Sequence, residues 1–126
     1  MLIENEIKAL WKAIKCIRCN TKPTYIVYRA ILNQSGTSAP VATILENSLG
    51  TVPVWNYNST GNYQTSGFNF DVTKTLVIIG SASPANLCQA LIASNNLYVL
   101  SMDGVSHSAA DNRLSNTSIE IIIYPW

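Results

Sequence analysis

The sequence predicts a mainly β protein, with an N-terminal α-helix over residues 1–20 and a small antiparallel β-sandwich, jelly-roll-like, over residues 24–126. Three observations carry this. Apolar residues recur at helical spacing only in the first twenty positions. From Thr24 the apolar period falls to two, in runs rich in β-branched and aromatic residues. Turn residues then punctuate the chain about every 8 to 15 positions, the rhythm of a sandwich or jelly roll.

In the N-terminal segment Ile3, Ile7, Leu10, Ile14 and Ile17 follow one another at spacings of 4, 3, 4 and 3. This is a heptad seam with Ile7 and Ile14 at a and Ile3, Leu10 and Ile17 at d, and Ile at both positions favours trimers or tetramers over dimers. A helix of this length is marginal alone in water and needs a surface to pack on. Either sister helices or the chain's own domain would serve. Leu2, Ala9, Trp11, Ala13 and Cys16 widen the apolar face, as for a helix that touches its sisters and something else. Asn20 and Pro23 end it, since Pro lacks a donor and biases the preceding residue away from helix.

The strands follow in order: Thr24 to Leu32, Val41 to Leu45, Val52 to Tyr57, Asn62 to Thr65, Lys74 to Ile79, Leu87 to Ala93, Leu97 to Met102 and Ser118 to Tyr124. Gln34 to Pro40 and Asn58 to Gly61 read as turns, and Gly80 to Pro84 as a break. Pro53 marks an edge or a strand start. Lys74 to Ile79 is a short continuous apolar run, the pattern of a buried strand. A short helix between Pro84 and Ile92 competes with the strand there. Asp103 to Ser115, small and polar, reads as a long exposed loop.

A chain of 126 residues is long enough for one domain with a real core. Only 12% of its residues are charged, with Ser, Thr and Asn in their place. That composition suits turns and strand faces and argues against a nucleic-acid groove or a membrane-surface helix, which need dense Lys and Arg. Lys8, Lys12, Lys15, Arg18, Lys22 and Arg29 are six of the eight basic residues, a positive handle on a mildly acidic body. Glu4, Glu6 and Lys8 interrupt the stretch where a signal peptide would be apolar, and no run is long enough to span a membrane, so synthesis in a reducing compartment is expected. The Asn-x-Ser/Thr matches at Asn33, Asn58 and Asn116 are those expected by chance in this composition.

Little points to chemistry. Cys16 and Cys19 form a C-x-x-C at the wrong end of a helix for a low-pKa thiol, and only Cys88 and His107 remain to complete a zinc site. His107, the single histidine, sits between two serines in the polar loop with no nucleophile elbow. No glycine-rich phosphate loop is present, and the seven acids fall in no informative pair. No catalytic, metal or cofactor residue is therefore assigned. The run Trp55-Asn56-Tyr57-Asn58 has the residue types of a sugar platform, aromatic rings for pyranose faces and amides for hydroxyls, so Trp55 and Tyr57 are the candidate ligand surface. In strands such aromatics also serve as core.

Tyr25 to Tyr57, with Gly36-Thr37-Ser38-Ala39-Pro40-Val41-Ala42-Thr43, Leu45-Glu46-Asn47 and Leu49-Gly50, resembles a module of small virion-associated proteins of tailed bacteriophages. Those infecting Bacteroidota, the crAss-like group included, carry it. Leu114 to Ile121 is similar to the close of that module. The resemblance implies a virion-located structural protein such as a head fibre, with no catalytic residues. Its implied partners are its own copies in a homotrimer and other virion proteins, such as a major capsid protein or fibre components. The alternative is a carbohydrate- or receptor-binding module that takes a host glycan.

Overall fold

Alternation along the strands sets the architecture. In Ile26–Asn33 (β1) Tyr28, Ala30 and Leu32 are buried, while Arg29 and Ile31 between them are half-buried on the other face. In Thr117–Ile123 (β8) Thr117, Ile119, Ile121 and Ile123 turn inward. Each such strand has one face for a core and one for something else.

The structure, a computed structural model, describes residues 4–11, 25–80 and 86–125. Residues 4–11 form a helix, α1, within the segment read as helical from the heptad. The other elements are Val41–Asn47 (β2), Val54–Ser59 (β3), Asn62–Ser66 (β4), Thr75–Ile79 (β5), Asn86–Ala93 (β6) and Asn96–Asp103 (β7). The eight strands fall where the sequence places them, within a few residues at each end. The competing helix up to Ile92 is excluded over its described part, which is β6.

Two four-stranded antiparallel sheets face each other as a β-sandwich: sheet A in the order β2-β1-β8-β5 and sheet B in the order β3-β4-β7-β6. Three hairpins, β1–β2, β3–β4 and β6–β7, stay within a sheet, and the remaining connections cross between sheets. β3 is an edge strand, consistent with Pro53 just before it, where a missing donor costs no ladder bond. The β6–β7 hairpin turns on Ser94 and Asn95, both with positive φ, the conformation of a two-residue turn matched to strand twist. A bulge against Arg29 and Ala30 leaves Leu45 unpaired and exposed.

The core draws on both sheets: Tyr28, Leu32, Ile119 and Ile121 from sheet A, Trp55, Tyr63, Leu97 and Val99 from sheet B, with Phe70 and Leu114 from connecting segments. Thr65 and Thr117 are fully buried among them with hydroxyls that have no hydrogen-bond partner.

One strand departs from its pattern. The run Leu76-Val77-Ile78-Ile79 reads as buried on both faces, but β5 is an edge strand in which Leu76 is 49% and Ile78 51% exposed. Its outward side chains are as apolar as its inward ones and stand half-exposed.

Candidate interaction surfaces

The helix α1 is exposed along its whole described length. Glu4 and Lys8 pair at 3.4 Å one turn apart, both well exposed, an arrangement of small energetic weight. Ile7, Leu10 and Trp11 are exposed by 49%, 61% and 59%. Among the described residues, none covers these three large apolar side chains of one short helix. Ile7 and Leu10 belong to the heptad seam, and its other members, Ile3, Ile14 and Ile17, lie outside the described residues, as do Cys16 and Cys19.

The outer face of sheet A combines apolar and charged side chains. Pairing places Leu76 beside Ile122, and Ile78 beside Glu120, which pairs in turn with Arg29 and then Glu46. The Arg29 guanidinium donates to both Glu120 and Glu46. The Glu120 bond foremost, then the Glu46 bond, hold Arg29 above its ordinary pKa, so its charge is fixed at any pH the fold survives. Ile31, Leu45 and Ile78 wall a groove of about 250 Å³ at the end of this charged row.

The outer face of sheet B has another character. On β3 and β4 it presents Asn56, Asn58, Asn62, Gln64 and Ser66 with Val54, and on β7 and β6 it presents Tyr98, Leu100, Met102, Leu91, Gln89 and Leu87. Asn56 donates to the Ser66 hydroxyl at 3.1 Å and Asn58 to the Gln64 carbonyl at 3.0 Å. No Asp, Glu, Lys or Arg points outward from this sheet among the described residues.

Trp55 and Tyr57, the expected aromatic platform, face the other way. Trp55 is 8% exposed in the core, and its indole donates to the Tyr28 hydroxyl at 3.3 Å. Tyr57 is half-buried, its ring against Tyr63 and its hydroxyl donating to Asp111 at 2.8 Å. Neither offers a flat ring to a sugar, which corrects the expectation. The reason is the pleat: in Trp-Asn-Tyr-Asn the aromatics and the amides take opposite faces, so one run cannot supply both to one ligand. The alternation itself carried that signal.

Sequence reasoning missed a polar cluster at one end of the sandwich. Asp111 accepts from the Gly61 amide at 2.8 Å, from Tyr57 and from Tyr63. Tyr63, fully buried, also donates to the Gln34 carbonyl at 2.9 Å, and Gln34 accepts from the Asn112 amide and ties off the Gly36 and Ser38 carbonyls. Burial opposes the Asp111 charge, but the Gly61 amide and the two tyrosine hydroxyls outweigh it and hold the carboxyl below its ordinary pKa. Burial pushes the Tyr63 hydroxyl up to about 12, against the Ser101 hydroxyl and with the nearby Asp111 charge. Gly61 is required here: its φ is +63°, and a Cβ would stand 2.4 Å from the Ser101 carbonyl oxygen.

This cluster is a fastening. It pins the segment from Asp103 to Ser115, expected as a long exposed loop, to both sheets, assisted by the Arg113–Asp103 ion pair at 2.8 Å and the Ala109 bridge to Met102. His107 is exposed at the tip of that segment, and its side chain has no hydrogen bond among the described residues. Cys88 is a half-buried free thiol whose pKa burial raises, the opposite of a reactive or metal-binding thiolate. No group of three or more His, Cys, Asp or Glu stands together to hold a metal among the described residues.

Compared with known proteins, the chain matches no family model, no curated protein and no solved structure.

Proposed function

We propose that this protein is a non-catalytic structural subunit that assembles as a homotrimer through its N-terminal helix. Its proposed setting is a virion, as a head fibre or another capsid- or tail-attached protein. The observation that carries the assembly reading is the exposure of Ile7, Leu10 and Trp11, which in a lone chain would leave a large part of the apolar face of α1 in water. Two of these residues lie on a seam with Ile at a and d, the pattern that favours three or more strands.

The outer face of sheet A supports the same reading. Its apolar edge residues, Leu76 and Ile78, stand half-exposed, and β1, the first strand after the helix, lies in that sheet. A second copy is the natural occupant, because helices gathered on one axis bring their sandwiches side by side. The basic residues Lys8, Lys12, Lys15 and Arg18 remain for an acidic docking surface on another virion protein. The virion setting rests on the resemblance of residues 25–57 and 114–121.

The test is the mass in solution, by light scattering, of the full chain and of the Ile7→Asp/Ile14→Asp variant. The expected result is a trimer that becomes monomeric in the variant with its β circular dichroism intact. A monomeric parent chain, or a variant of unchanged mass, overturns the assembly reading. Peptides of this chain in gradient-purified phage particles test the setting, and their absence ends it.

A further inference from the structure

The geometry points to a binding site for a neutral saccharide on the outer face of sheet B, distinct from the Trp55 side of the same strand and independent of how the chain assembles. The argument starts from the hydrogen bonds already made there. Asn58 Nδ2 is committed to Gln64 Oε1 and Asn56 Nδ2 to Ser66 Oγ. These bonds orient the amides and leave Asn56 Oδ1, Asn58 Oδ1 and Gln64 Nε2 without partners among the described residues. Two acceptors and a donor thus stand fixed on adjacent strands, in a row that pairing continues from Asn56 through Gln64 to Tyr98 and Leu91.

Beside the amides lies a depression of about 250 Å³ bordered by Asn62, Leu91, Tyr98 and Leu100. Its floor is apolar and its rim is an amide whose Oδ1 has no hydrogen-bond partner. An unpaired buried acceptor is destabilising, and the Asn amide torsion is soft enough to turn that oxygen outward.

A sugar ring matches this surface on each count. Its hydroxyls both donate and accept, as the fixed amides require. Its C–H face suits the Tyr98 and Leu91 shelf. The absence of outward charge argues for a neutral ligand: phosphate, sulfate and nucleic acid need cations, which this face lacks.

The experiment is affinity electrophoresis of the full chain through gels containing a soluble glucan, mannan, xylan or galactan, with heparin as the charged comparison. At least one neutral polysaccharide is expected to retard it. The Asn58→Ala/Gln64→Ala variant, altered only at outward amides, is expected to bind at least tenfold more weakly, and Thr43→Ala on sheet A to bind unchanged. Retardation by none of the four, by heparin alone, or equally in the amide variant overturns the proposal. Mass in solution, measured on the same variant, separates this outcome from the assembly reading. The trimer is expected to persist when the saccharide site is lost, and a monomeric parent chain leaves the saccharide result standing.

Discussion

The two outer faces share a core and a strand length but are built from different chemistry. Sheet A turns outward Ile31, Ile78, Leu76 and Ile122 around a single cation held by two carboxylates. Sheet B turns outward amides on β3 and β4 and, on β7 and β6, Tyr98 with Leu87, Leu91 and Leu100, with no charge among the described residues. The first is a surface that gains by losing water. The second adds hydrogen bonds in fixed directions to an apolar strip on β6 and β7. The difference suits a division of the proposed tasks between the sheets, association on one and recognition on the other.

The strongest way to break this contrast is to place the same charge on each face. Ile78→Arg is expected to weaken self-association by more than tenfold in light-scattering dilution series, with the thermal midpoint of the sandwich little changed. Gln64→Arg is expected to leave the mass as it was. Equal effects of the two would erase the division between the sheets.

A second comparison removes charge. Arg29→Met leaves Glu46 and Glu120 without the guanidinium between them, and like charges on one sheet face repel. The thermal midpoint is expected to fall at low ionic strength and to recover in part at about 1 M salt, where the Debye length is about 3 Å. Gln64→Met on sheet B, an outward, half-buried change with no charge at stake, is expected to stay within about 0.5 kcal/mol. A midpoint for Arg29→Met that ignores salt would show that the ion triad has no part in holding sheet A.

The smallest effect probes what the sheets share. Thr117 on sheet A and Thr65 on sheet B bury hydroxyls without partners, and Val has nearly the same shape. Each Thr→Val change is expected to raise stability by about 1 kcal/mol in urea unfolding. A gain at only one of the two positions would show that the sheets are not equivalent toward the core.

Much of this was legible in the chain. Period-two runs and their turn residues locate all eight strands, because a strand needs only alternation and punctuation, both local. The change to a 3.6-residue period locates α1 for the same reason. The Trp-Asn-Tyr-Asn run shows the limit. Its alternation says that Trp55 and Tyr57 share a face and that Asn56 and Asn58 share the opposite one, but not which face meets the other sheet. That depended on Tyr28, distant in sequence and on the other sheet, arriving to cover Trp55.

By itself, then, the sequence determined the element types, their order and the apolar stripe of the helix, all consequences of local spacing and residue chemistry, while Pro53 left β3 as an edge or a strand start. The tertiary structure alone decided the strand order, the exposure of Leu76 and Ile78 on β5, and the fastening of the Asp103–Ser115 segment by Asp111, Tyr57, Tyr63 and Gln34. Those depend on which strands become neighbours across tens of residues, a matter of long-range pairing and burial that no local pattern encodes.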